Sequence, residues 1–309
     1  MSTGIGIGIA GDTFQTRAGL ASGGGGGSLL LDLYGADAYG AYSLRKLSST
    51  YTGSAVRVRR VSDDAETDIG FDANGDLDTA ALLLFYGSGI NTVLVVKWYD
   101  QSGNSRDAVS VLTTTQPTIV QFDLSSFGGV VITENGKPSM TGSTALAIPN
   151  PSATVGQPIT FFSVYAQNGI VNPFLTQMLF TSRTGAFRPT GGIQSFIATN
   201  NIRQQTIGNF GDKTYVQTID NSLHVLTSLF NGSNSTARID QTVPFVTSGS
   251  NPSPLEGISS AANYTGIGLQ DPLATTFFGR YSELIIYGAD KTSDFTGIET
   301  DMQTYYSTP

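Results

Sequence analysis

Leu223-His224-Val225-Leu226-Thr227-Ser228-Leu229-Phe230 is followed by Asn231-Gly232-Ser233 and then by Ala237-Arg238-Ile239-Asp240. Two runs rich in β-branched and large apolar residues, joined through Asn and Gly, describe a β-hairpin. The same texture extends in both directions. Upstream it covers residues 93–99, 118–122, 130–133, 159–165, 177–180, 193–199 and 214–218; downstream it covers 236–239, 264–269 and 277–287. Short strands at such intervals, with turn residues between them, are the pattern of an antiparallel sandwich.

Between residues 29 and 92 the pattern is mixed. Residues 36–47 are rich in Ala, Leu and Tyr and free of Pro, with Arg45 and Lys46 at the end where a helix dipole favours cations, so a helix is expected there. Val56, Val58 and Val61 then interleave with Arg57, Arg59 and Arg60, giving a strand with one apolar and one cationic face. Asp63, Asp64, Glu66 and Asp68 reverse the charge immediately afterwards, which points to internal ion pairs. The segment Asp72-Ala73-Asn74-Gly75-Asp76-Leu77-Asp78 has the composition of a calcium loop but not its spacing: Gly75 stands fourth and Leu83 twelfth where Gly belongs sixth and Glu twelfth. The reading preferred here is an Asn-Gly turn, with Asp78 capping a short helix through Leu84. At the other end of the chain, Ser293 or Asp294 can cap a helix whose Phe295, Ile298, Met302 and Tyr305 recur as one packed stripe.

Composition narrows the function. The 309 residues include 16 Lys plus Arg, 24 Asp plus Glu, no Cys, one His and one Trp, for a formal charge of −8. Charged residues make up only 13% of the chain, while 32 Ser and 37 Thr give a polar, weakly charged surface. An acidic balance without a basic tail disfavours nucleic acid. The apolar run at residues 93–96 is too short for a membrane span, and the N-terminus lacks the pattern of a signal peptide. Without Cys there is no thiol catalysis, disulfide framework or thiolate metal site. His224 has no second His and no Ser-His-Asp spacing, so it reads as structural. Trp98 beside Val95 and Val96 reads as core.

The first 28 residues stand apart as an arm, with a domain from 29 to 309. Gly4-Ile5-Gly6-Ile7-Gly8-Ile9 alternates as a strand does, but glycine makes it costly to order alone. Residues 23–27 are an unbroken glycine tether. A solvated tail is one reading. The other is an arm whose Ile5, Ile7 and Ile9 anchor the protein by adding a strand to a neighbouring subunit.

Two stretches carry a family resemblance. Val58 to Gly70, reading VRRVSDDAETDIG, and Trp98-Tyr99-Asp100-Gln101-Ser102-Gly103-Asn104 resemble signature stretches of the catalytic domain of family 54 α-L-arabinofuranosidases, in matching order and spacing. The ending Phe278-Gly279-Arg280-Tyr281-Ser282-Glu283-Leu284-Ile285-Ile286-Tyr287 is similar to laminin-G-like and concanavalin-type sandwiches, and the combination resembles lectin-like domains of bacteriophage structural proteins. The fold so implied is all-β: a concanavalin A-like, jelly-roll antiparallel sandwich with a few short helices and a flexible N-terminal arm.

The enzyme family uses a Glu nucleophile and an Asp acid, and retaining hydrolysis needs two carboxylates roughly 5–5.5 Å apart. Asp271 resembles the acid, but no Glu occurs between Glu134 and Glu256, where the nucleophile is expected. These residues therefore lead to a non-enzymatic virion surface protein, such as a phage spike, decoration protein or fibre subunit. Its lectin-like domain would bind a cell-surface glycan through Asp271, Tyr264 and Tyr281, alongside the Asn/Gln-rich residues 200–205. The partners expected are other virion proteins through the arm and further copies of the chain, with no nucleic acid and no membrane insertion. No metal or cofactor is expected. The alternatives are a secreted arabinofuranosidase-like hydrolase, if a second carboxylate stands beside Asp271, and a free carbohydrate-binding lectin.

Overall fold

The computed structural model describes residues 28–110, 112–167, 177–184, 191–198, 201–207, 211–216, 221–244, 246–248, 251–253, 255–262, 264–268 and 277–309. Ile5, Ile7 and Ile9 thus lie outside the described residues. The chain begins with α1 (Leu30–Tyr34), β1 (Ala38–Ser43), β2 (Val56–Arg60), β3 (Glu66–Ile69), α2 (Thr79–Tyr86), β4 (Thr92–Trp98), β5 (Ala108–Ser110), β6 (Thr118–Asp123) and β7 (Gly128–Val131). It continues with β8 (Thr133–Glu134), β9 (Lys137–Pro138), β10 (Met140–Thr144), β11 (Leu146–Ala147), β12 (Ile159–Gln167), β13 (Gln177–Thr184), β14 (Gly191–Ala198), β15 (Asn201–Ile207) and β16 (Gly211–Val216). It closes with β17 (Leu223–Phe230), β18 (Thr236–Ile239), β19 (Val246–Ser248), β20 (Tyr264–Ile267), β21 (Phe277–Tyr287) and α3 (Phe295–Tyr306).

Two layers of antiparallel strands result. In the first, β18, β17, β12 and β21 pair in that order, and β1 and β10 share the far edge of β21. In the second, β3, β2 and β4 are followed by β5, β11, β20, β13, β14, β15, β16 and β19. Strand β6 pairs with β4 and β7, and touches β10 at Thr118 and Thr141, joining the layers at one side.

The main core lies between the layers. Trp98, Phe161, Phe180, Phe230, Tyr281 and Leu226 are fully buried there. Trp98 behaves as its neighbours in sequence suggested, with Tyr42 at 5.9 Å and Tyr281 edge-on at 6.2 Å. A second apolar layer covers the outer face of the first sheet, where Leu30, Phe295, Ile298 and Met302 from α1 and α3 meet Phe162, Val225 and Ile285. Strands β12 and β17 are consequently buried on both faces, which is why they read as nearly continuous apolar runs. Each such side chain contributes about 1.5–3 kcal/mol.

The hairpin of β17 and β18 forms in the expected register, from Leu226 opposite Ile239 to Leu229 opposite Thr236. Asp78 caps α2 by accepting from the Ala81 amide at 2.9 Å. In the loop before it, the Asp72 carboxylate accepts from the Asn74 and Asp76 amides, and Gly75 supplies the left-handed turn at φ +82°. Asp294 precedes α3, but its side chain accepts no capping hydrogen bond; its carboxylate pairs with Lys291 at 2.8 Å instead.

Residues 36–47 are not helical. They form β1 and an irregular extension, because both faces of the segment are buried and its backbone is claimed from both edges. One edge pairs with β21. The other is met by Asp100 and Gln101, as described next.

Candidate functional site

The Tyr99-Asp100-Gln101-Ser102-Gly103-Asn104 stretch performs a structural task. Asp100 is buried, and its Oδ1 accepts from the Ala41 and Ser102 amides at 2.9 Å each. Its Oδ2 accepts from Ser102 Oγ at 2.9 Å and the Arg106 amide at 3.0 Å. Gln101, also buried, donates its amide to the Ala41 carbonyl and its Nε2 to the Ser43 and Arg45 carbonyls, and accepts from the Leu47 amide. Two side chains thereby stand in for a neighbouring strand. Three tyrosines surround the turn. Burial pushes the Tyr39 and Tyr51 phenols up to about 12 and the Tyr42 phenol well above its ordinary value. All three donate to backbone carbonyls, at Pro149, Ser54 and Arg106.

The second sheet presents a different surface. Val56, Val58, Trp98, Ala108, Leu146, Ile267 and Phe180 point into the core, so strand alternation puts the intervening positions on the opposite face. There the register draws one row across ten strands: Asp68, Arg57, Lys97, Val109, Ala147, Gly266, Thr181, Gln194, Gln205 and Asp212. At about 4.8 Å per strand it runs some 43 Å. Its first end is charged and tied: Arg57 pairs with Glu66 and Asp68, and Lys97 with Asp107. Near its middle, Thr181 is buried and its Oγ1 has no hydrogen-bond partner among the described residues.

Hydrolysis requires carboxylates, and most of those described are already engaged. Glu66 pairs with Arg57, and Glu134 with Arg280. Glu283, fully buried, receives Ser43 Oγ, Arg45 and the Tyr306 hydroxyl. Glu299, also buried, accepts from Thr227 Oγ1 and faces Arg238 at 2.9 Å. Asp32, Asp63, Asp64, Asp76, Asp123, Asp290 and Asp301 each hold local donors or a cation. Asp240 accepts from the Val225 amide and contacts His224 Nδ1 at 2.6 Å, so the lone histidine has a structural partner as expected.

Glu299 carries a pH dependence. Burial raises its pKa above the ordinary 4.5, against the lowering influence of Thr227 and Arg238. The folded state therefore binds more protons than the unfolded state, and this contribution to stability is complete below 4.5 and is lost as pH rises through the folded value. In Glu299→Gln the loss is absent. The difference in urea midpoint between variant and wild type should move in the variant's favour as pH rises from 4.5 towards neutrality; a difference moving the other way would contradict the assignment.

Of the residues expected to line a glycan groove, Tyr281 stands in the core instead. Tyr281 is fully buried between the sheets and donates to the Leu179 carbonyl at 3.2 Å. It belongs to the core, because its position on β21 has inward parity. The backbone of Tyr264 lies opposite that of Arg183 where β20 pairs with β13. Asp271 lies outside the described residues. Of the stretch at 200–205, Gln204 is buried and bonds to Ser228 Oγ, the Leu229 and Thr236 carbonyls and the Tyr215 hydroxyl, tying the two layers together.

This architecture is an all-β antiparallel sandwich. An arabinofuranosidase complexed with arabinofuranosyl-α-1,2-xylobiose matches it with a TM-score of 0.58 at 16% identity, over 89% of this chain and 64% of the other. A GH54 α-L-arabinofuranosidase soaked with a cyclic sulfate inhibitor gives 0.59 at 15% identity over the same shares. A mutant GH54 enzyme soaked with 4-nitrophenyl α-L-arabinofuranoside gives 0.57. The chain thus spans 64% of the length of these proteins. No family model and no curated protein matches the chain. The likeness bears out the resemblance carried by the residue 58–70 and 98–104 stretches, and with it the fold. It overturns the non-enzymatic reading: these three structures that share the fold are arabinofuranosidases, and virion, spike and host-attachment roles find no support in them.

Proposed function

We propose that the protein is a glycoside hydrolase acting on α-L-arabinofuranosides. The observation that carries this reading is the shared fold with arabinofuranosidases along 89% of the chain. The carboxylate census then limits where a catalytic pair can reside. With Glu66, Glu134, Glu283 and Glu299 held by cations and hydroxyls, the pair is assigned to aspartates, and Asp220 and Asp271 are the candidates. Ala166 pairs with Leu223 and Gln167 with Gly279, so the connections leading into β17 and β21 leave the same end of the sandwich. Asp220 belongs to the first connection and Asp271 to the second. In this reading Asp271 protonates the departing glycosidic oxygen and Asp220 is the opposing carboxylate.

Release of nitrophenol from 4-nitrophenyl α-L-arabinofuranoside is the test. The wild-type protein should turn it over, and Asp271→Asn and Asp220→Asn should each lower kcat by about 10²–10⁴-fold, the usual worth of a positioned acid or base. No turnover by the wild type would reject the activity. Full activity in both variants would reject the pair.

A further inference from the structure

We propose that the arm folds back on its own domain, with residues 4–9 adding a strand to β7. Among the described residues β7 pairs only with β6. Of the other terminal strands, β3 is blunted by Glu66 and Asp68 and β18 by Arg238, and β19 by being only three residues long. Strand β7 reads Gly-Gly-Val-Val and has no charged residue.

Large apolar side chains stand exposed around this edge: Leu84 (84%), Ile90 (84%), Phe127 (79%), Leu124 (74%) and Val130 (41%). They belong to one corner of the molecule. The Tyr86 ring lies so close over Gly129 that a Cβ there would meet it at 2.6 Å, and the Tyr86 hydroxyl donates to the Gly89 carbonyl at 2.6 Å. Helix α2, the loop bearing Ile90 and the β6–β7 hairpin are thereby held together. An uncharged edge rimmed by such residues calls for a strand that brings its own apolar face.

The arm has that composition. Ile5, Ile7 and Ile9 fall on one face of an extended segment, and Gly4, Gly6 and Gly8 on the other. Residues 10–27 reach about 60 Å when extended, more than the roughly 50 Å breadth of a domain this size. Attachment through a linker of this length gives an effective concentration near the millimolar range, far above that of a second copy in dilute solution. The chain's own arm is therefore the occupant.

The absence of native Cys makes the test direct. Val130→Cys is paired in turn with Ile5→Cys, Ile7→Cys and Ile9→Cys in the full chain, and each is oxidised at micromolar concentration. At least one pair should yield a cross-linked species of monomer mass. A dimer-mass product would assign the edge to another copy's arm and overturn the proposal, as would failure of all three pairs. In a second experiment, amide exchange at residues 128–131 should quicken at least tenfold in the triple Ile5, Ile7 and Ile9→Ser variant while β12 and β21 remain protected. Unchanged exchange at β7 would equally overturn it.

Discussion

Asp100→Ala is expected to lower folding stability by about 3–6 kcal/mol, because it leaves the buried amide of Ala41 and the part-buried amides of Ser102 and Arg106 without their acceptor, at about 1–3 kcal/mol each with the two part-buried ones at the low end, where water reaches them. The side chain is small, so lost packing is a minor part. Asp100→Asn keeps a single carbonyl oxygen and turns an NH₂ group towards donors that need an acceptor, and its loss should be about half as large. Urea denaturation of the two variants measures this. A loss under 1 kcal/mol in Asp100→Ala would mean that the free edge of β1 is satisfied in another way. The same result bears on the signature stretch itself, since its Asp would then have some task other than holding β1.

Arg45→Met is expected to cost about 3–5 kcal/mol, the usual penalty for stranding a buried charge. Arg45 Nε and Nη2 grip the two Glu283 oxygens at 2.8 and 3.0 Å, Nη2 also reaches Asp301 at 2.5 Å, and the guanidinium lies 4.6 Å from the Tyr305 ring centre. Burial opposes the charge, but the two carboxylates more than offset it and hold the guanidinium firmly protonated. Glu283 is the more deeply buried partner and is what Arg45→Met strands. Replacing both, as Arg45→Met with Glu283→Leu, should recover much of the loss, because an apolar pair needs no counter-charge. If the double variant were as unstable as the sum of the singles, the pair would not be coupled.

The cluster fastens the chain's end to its middle. Arg45 follows β1, Glu283 belongs to β21, and Asp301 and Tyr306 come from α3. Nothing in the spacing of residues 45, 283 and 301 announces that they meet. Asp100 and Gln101 show the same limit: the Tyr-Asp-Gln-Ser-Gly turn was recognisable, but its partners in β1 are some 60 positions away.

What the sequence determined by itself was the local alternation. Short apolar runs bounded by turn residues placed β12, β17, β18 and β21 and their hairpin, and the stripe at Phe295, Ile298 and Met302 placed α3, because these signals depend only on the local order of apolar and turn residues. Asp78 was legible as a cap for the same reason, since capping acts over three residues. Tertiary structure decided the rest. Residues 36–47 have helix-forming side chains, yet burial on both faces and the side-chain partners Asp100 and Gln101 made them a strand, an outcome that long-range contacts impose on weak local preference. Alternation could not say whether Tyr281 turned towards a groove or the core, because the pattern has two faces and only the packing of the second sheet names the inner one.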